Sequence, residues 1–184
     1  MFRHARSFNQ NLATWNVSRA FDLEGMFAYA VAFDQPLDYW NVANVIFLSR
    51  MFQGASSFNG NITWWRPLNA VYLDSMFENA TAFNHDLHWP TSSCVQMDSM
   101  FMGATAFNGN ISAFITSNVT SMHSTFQGAS SFSSAIENWD TGKVVTMRYL
   151  FAFSPFDQPI GAWNVVGRYL GLALGLSLSS NALI

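Results

Sequence analysis

Residues 51–62 read Met-Phe-Gln-Gly-Ala-Ser-Ser-Phe-Asn-Gly-Asn-Ile, and the pattern they open returns along the chain. Met-Phe stands at Met1-Phe2, Met26-Phe27, Met51-Phe52, Met76-Phe77 and Met100-Phe101, then in altered form at Thr125-Phe126 and Leu150-Phe151. The intervals are 25, 25, 25, 24, 25 and 25 residues. A period of this length marks an array of like units, none of which buries its apolar face alone. Function is therefore to be sought on the surface of a stack of coils.

The aligned unit reads Met-Phe-x-Gly-Ala-x-x-Phe-Asn-x-x-Leu-x-x-Trp-x-Val-x-x-Val-x-x-Leu-x-x. Its second phenylalanine recurs as Phe8, Phe33, Phe58, Phe83, Phe107, Phe132 and Phe156. An aliphatic residue follows at Leu12, Leu37, Ile62, Leu87, Ile111, Ile136 and Ile160, and an aromatic at Trp15, Trp40, Trp65, Trp89, Phe114, Trp139 and Trp163. Each aromatic buries on the order of 150–250 Å², so copies stacked on copies predict one continuous core. Leu23, Met26, Phe27, Ala30 and Phe33 fall on one face of a short helix. Gly54, Gly103 and Gly128, with Asn79 in their place in one unit, are expected to close that helix in a left-handed conformation. Trp-x-Val has the alternation of a short strand.

Alanine at 5, 30, 55, 80, 104 and 129 points to close approach of neighbouring helices. The Asn or Asp at 9, 34, 59, 84, 108 and 157 predicts a side-chain ladder that satisfies turn backbone from coil to coil, interrupted at Ser133. These expectations add up to a repeat solenoid of about seven coils, each with a short β-strand and a short helix or turn. It would occupy 1–165, followed by a divergent segment 166–184 in which Gly171 and Gly175 replace core residues.

The motifs at 51–62 and Leu-Ala-Thr-Trp-Asn-Val-Ser at 12–18 resemble the 25-residue repeat of BspA-like surface proteins and mycoplasma-type surface lipoproteins, over residues 1 to about 165. That resemblance implies kinship with leucine-rich repeats, a location at the cell surface or outside the cell, and a role in binding or adhesion. Cys94 falls where leucine-rich repeats commonly place Asn or Cys.

Half of the residues are apolar and 10% are charged, against about a quarter in ordinary domains. Eight basic residues spread along a chain of net charge −3 leave no footprint for a phosphate backbone, so nucleic acid is not an expected partner. One cysteine forms no internal disulfide, and the repeat places Cys94 at a buried strand end. The first residues already belong to a repeat, so no signal peptide is read in this stretch. The apolar run after Leu170 is shorter than a membrane span of about 20 residues, and it reads as a divergent cap or as sequence foreign to the array.

No hydrolase, phosphate-loop or zinc-protease motif occurs, and the chain is expected to be no enzyme, with no cofactor. His85-Asp86-Leu87-His88 is the best metal candidate, but zinc needs ligands converging from elsewhere, so no metal is expected. Asp22, Glu24, Asp74 and Asp98 are expected at helix N-termini, where acids are favourable. Asn16, Asn61, Asn79, Asn110 and Asn118 stand in glycosylation sequons, three of them on positions where the repeat itself favours Asn.

Beside the core tryptophans lie Tyr39 and Asn41, Trp64 and Arg66, and His88. Stacked about 4.8 Å apart, they would form a row of aromatics with an adjacent cation, the residue types that anchor interfaces. The expected function is non-catalytic binding of a protein or glycan at a cell surface, with end-to-end self-association of the stack. The alternative is a structural spacer within a larger multi-repeat protein.

Overall fold

The computed structural model describes residues 1–164. The divergent segment 166–184 and its reading as a cap lie outside them. The described residues contain stacked coils, but not the expected strand-plus-helix coils of a leucine-rich-repeat-like solenoid: they hold no helix and no sheet. Extended pairing is reduced to isolated parallel bridges in one column, Asp22 with Phe47, Phe47 with Tyr72, Tyr72 with Gln96, Gln96 with Ser121 and Ser121 with Thr146.

The helix fails because the chain turns left-handed twice within five residues. Gly54, Asn79, Gly103 and Gly128 do take positive φ, as their type predicts, and so do His4, Tyr29 and Phe153 in the same register. A second left-handed residue stands four earlier, at Gly25, Arg50, Ser75, Ser99, Ser124 and Tyr149. A right-handed helix cannot pass through either position. Chained turns replace it: Met26 N–H bonds Leu23 O at 3.2 Å, Ala28 bonds Gly25 O at 3.0 Å, and Ala30 bonds Phe27 O at 3.0 Å. Positive φ at the third residue, as at Gly25 and Tyr29, marks the type II turn.

The amides between those turn donors reach the next coil. Leu23, Gly25, Phe27 and Tyr29 donate to the carbonyls of Phe47, Ser49, Met51 and Gln53 at 3.0, 2.9, 2.9 and 2.6 Å. Successive amides thus alternate between closing a turn and joining coils, which leaves few buried groups unpaired without regular secondary structure. The Trp-x-Val stretch is likewise no strand. It makes turns, with Trp40 N–H on Leu37 O and Val45 N–H on Val42 O. The acids assigned to helix ends serve turns and neighbouring coils instead. Asp22 accepts from Glu24 N–H, Asp74 from Ser49 Oγ at 2.7 Å, and Asp98 from His123 N–H at 2.8 Å and from Ser121 Oγ.

The core consists of three aromatic columns. Phe27, Phe52, Phe77, Phe101 and Phe126 stack with centroids 5.4–5.6 Å apart. Phe33, Phe58, Phe83, Phe107 and Phe132 stack at 5.8 Å. Within a coil the two rings lie nearly parallel, as for Phe52 and Phe58 at 3.9 Å and 6°. Tryptophan fills most of the third column, and in three coils the indole also donates: Nε1 of Trp40, Trp65 and Trp89 bonds the carbonyls of Leu12, Leu37 and Ile62 in the preceding coil at 2.9, 2.8 and 3.0 Å, whereas the buried Nε1 of Trp139 has no partner among the described residues.

Phe114 lacks that donor, and no hydrogen bond among the described residues reaches the Leu87 carbonyl. The Phe114→Trp variant is expected to place an indole N–H on it and gain about 0.5–1.5 kcal/mol, read from the urea midpoint. A lower midpoint would put that carbonyl out of reach.

The Asn/Asp ladder forms as expected. Oδ1 of Asn9, Asp34, Asn59, Asn84 and Asn108 accepts the amides of Asp34, Asn59, Asn84, Asn108 and Ser133 at 2.8–3.0 Å. Ala30, Ala55, Ala80, Ala104 and Ala129 are fully buried, though between turns rather than between helices. The 24-residue unit is shorter by one residue between Leu87 and Trp89, and Trp89 still stacks on Trp65 at 5.8 Å.

Candidate functional site: a lateral aromatic row

Trp40 and Trp65 point inward, and the residues on either side of each point outward. Tyr39 is 80% exposed and Trp64 70% exposed, although both rings sit next to indoles buried to within a few percent. His88 lies against Trp64, with centroids 4.7 Å apart and planes tilted by 32°. Asn41 and Arg66 are exposed. Asn41 Oδ1 accepts the Ala43 amide at 3.1 Å in a local turn, which holds its amide nitrogen at the surface. Arg66 is in no ion pair among the described residues, where the salt bridge joins Arg50 and Glu24 at 3.0 Å. The coil stack thus brings Trp64 and His88 into ring contact and places Tyr39 one coil away, outside stacking distance of Trp64. The five residues share one lateral face, with its only ring contact at its C-terminal side.

Local structure explains the exposure. The turns closed by Trp40 on Leu37 and Trp65 on Ile62 throw the residue before each tryptophan outward. At His88 the shortened unit removes this turn, and Pro90 supplies no amide. The His88 amide instead bonds Thr63 O at 3.2 Å, which draws its ring onto Trp64.

The other candidates are engaged in the fold. His85 Nε2 lies 2.8 Å from Asn59 O and Asp86 Oδ1 accepts the Asn110 amide at 2.8 Å. No group of three His, Cys, Asp or Glu among the described residues is placed to hold a metal ion. Asn16, Asn61 and Asn110 of the sequons each accept a backbone amide two residues on, at 3.1, 3.1 and 2.9 Å. Asn118 bonds Ser92 O through Nδ2 and accepts Lys143 Nζ at 2.6 Å. Among the described residues no helix is long and apolar enough to cross a membrane.

Cys94 is 1% exposed and closes a turn onto Thr91 O at 2.9 Å, so it is buried at a turn and not at a strand end. Burial pushes its thiol up to about 12. The thiol stays protonated at neutral and mildly alkaline pH, and the thiolate is the reactive form. A thiol reagent at pH 8 is expected to label the folded chain slowly and the urea-unfolded chain fully. Equal labelling of both would show that this coil opens readily.

Sequence reasoning missed a second outward line, beside the bridge column. Phe21 is 64% exposed and Val145 76% exposed, while Phe47 and Tyr72 stack at 5.3 Å and 2° on the same flank. The bridge register runs Asp22, Phe47, Tyr72, Gln96, Ser121 and Thr146, so no periodic signal marks its aromatic pair.

A stack of turn-built coils, with aromatic columns inside and varied side chains outside, defines a repeat protein. This chain belongs to the family described as Mycoplasma protein of unknown function, DUF285, whose pattern matches residues 1–88 and again residues 73–168. No curated protein and no solved structure matches the chain.

Proposed function

We propose that the chain is a non-catalytic binding protein that presents its lateral aromatic row to a protein or glycan at a cell surface. The observation that carries this reading is the exposure of Tyr39 and Trp64 beside Arg66, which has no ion-pair partner among the described residues. Large aromatics and arginine dominate interface energetics, and a coil stack holds them on a rigid frame at low entropic cost. The resemblance of the repeat to BspA-like and mycoplasma-type surface proteins supports the surface location and a role in adhesion.

The test is a screen of the wild type and a Tyr39→Ala, Trp64→Ala, Arg66→Ala triple variant against immobilised glycans and extracellular-matrix proteins. The variant is expected to lose binding by about tenfold or more while keeping its unfolding midpoint, because the three side chains are exposed. Equal binding by both chains, or binding by neither, favours the spacer reading.

A further inference from the structure

The rings of the lateral row are not evenly spaced, and the uneven spacing makes a slot. Trp64 and His88 stand on successive coils with centroids 4.7 Å apart, closer than the 5.8 Å between the core indoles Trp65 and Trp89 beside them. The Trp64 indole therefore lies across the stack axis, with one face against His88 and the other toward the coil of Tyr39. On that side Tyr39 and Trp64 make no ring contact among the described residues, although Trp40 and Trp65 next to them stack at 6.4 Å. Two exposed aromatic walls thus flank a gap between adjacent coils.

The polar groups at the rim of this slot are chiefly donors. Asn41 Oδ1 is taken by the Ala43 amide at 3.1 Å, which leaves Nδ2 to face outward. The indole N–H groups of Trp40, Trp65, Trp89 and Trp163 are bonded to carbonyls, whereas that of Trp64 has no acceptor among the described residues. Arg66 adds a guanidinium, and half-buried Asp38 forms no ion pair with it among the described residues. Pro67 disfavours helical backbone at Arg66, and Leu68 N–H bonds Arg66 O at 2.8 Å in a tight turn, so the backbone beneath the cation is fixed.

Walls of this kind ask for a ring, and a donor rim asks for acceptors, above all a carboxylate that the planar guanidinium can grip with two hydrogen bonds. A peptide carries its rings and its carboxylates on different residues, whereas a carboxylated sugar carries both on one. Walls on both sides admit substituents that lie near the plane of the ring. That selects a hexuronate, whose carboxylate is equatorial, over a linked sialate, whose carboxylate is axial. One arginine on this face, in a chain of net charge −3, suits a single carboxylate and not a densely sulfated polymer. We propose, resting on the reading of the lateral row as a binding site, that Tyr39 and Trp64 clasp the terminal β-glucuronate of a glycan. Arg66 holds the carboxylate and Asn41 Nδ2 donates to a sugar oxygen. The sugar enters edge-on between two coils, so it is a chain end or a branch tip.

Calorimetric titration of the full chain with methyl β-D-glucuronide, methyl β-D-glucoside and sialyllactose tests this. For the glucuronide a Kd of about 1 mM is expected, the order reached by one small ring, with binding of the other two about tenfold weaker. Arg66→Gln is expected to abolish the preference, so that glucuronide and glucoside bind alike, and Trp64→Ala to abolish binding of both. Both side chains are exposed, so each variant is expected to keep the wild-type urea midpoint. The proposal is overturned if wild type binds glucoside or sialyllactose as well as glucuronide, if neither substitution changes glucuronide affinity, or if no glucuronide binds up to about 20 mM. Binding of a matrix protein that depends on the row, without binding of glucuronide, defeats the glucuronate assignment alone. Absence of both defeats the binding reading of the row with it.

Discussion

Phe77→Ala is expected to cost about 3–5 kcal/mol, the range for removing a buried phenylalanine. Phe77 is fully buried and touches rings in three coils: Phe52 at 5.6 Å, Phe101 at 5.4 Å, and Phe83 and Trp89 of its own coil at 4.1 and 6.2 Å. A coil has no core of its own, so the cavity weakens both interfaces of the central coil, and in a stack these nearest-neighbour terms carry the stability. Urea denaturation checks the value. Phe2→Ala, with one flank already open, is expected to cost clearly less, and Phe153→Ala, with its ring 82% exposed, close to nothing. Equal losses at Phe77 and Phe2 would mean that the column does not act through stacking on both sides.

Gly109→Ala is the second large effect, expected at about 2–4 kcal/mol from forced overpacking with backbone displacement. A β-carbon at position 109 would overlap the carbonyl oxygen of His85 and approach its carbonyl carbon to 2.6 Å, with the Phe107 ring at 3.1 Å on another side. The obstacle is the backbone of the preceding coil, which cannot step aside without breaking the stack. Gly60 meets the Gln35 carbonyl in the same way, and Gly60→Ala should behave alike. Gly142, where the nearest atom is the Asp140 carboxylate at 3.0 Å, is an exposed control at which alanine should be tolerated within about 0.5 kcal/mol. A Gly109→Ala chain as stable as wild type would show that the coils slide freely at this contact.

The lateral row was legible as a list and less so as a geometry. Tyr39, Trp64 and His88 share a register, and register alone predicts an even row with equal spacing. The structure joins only Trp64 to His88, because the one-residue contraction between Leu87 and Trp89 ties the His88 amide to Thr63 O. The partly exposed stack of Phe47 and Tyr72 was not legible, since burial there depends on which way each bridge residue faces.

The period, the identity of the columns, the buried alanine register and the Asn/Asp ladder follow from the sequence by itself. Identical units that cannot bury their apolar faces alone have to stack in register, and stacking in register places like residues on like. Only the tertiary structure decided that the coils are made of turns. The residues Leu23 to Phe33 carry the spacing of a helix, and helix and tight turn offer similar side-chain faces over so few residues. What selects the turn is the demand of each neighbouring coil for an amide at every second position, satisfied when Gly25, Arg50, Ser75, Ser99, Ser124 and Tyr149 go left-handed. Most of these are residue types with no preference for that conformation. Their backbone is set by hydrogen bonds to residues some 24 positions away, as from Gly25 to Ser49 and from Arg50 to Asp74, and no local pattern records that constraint.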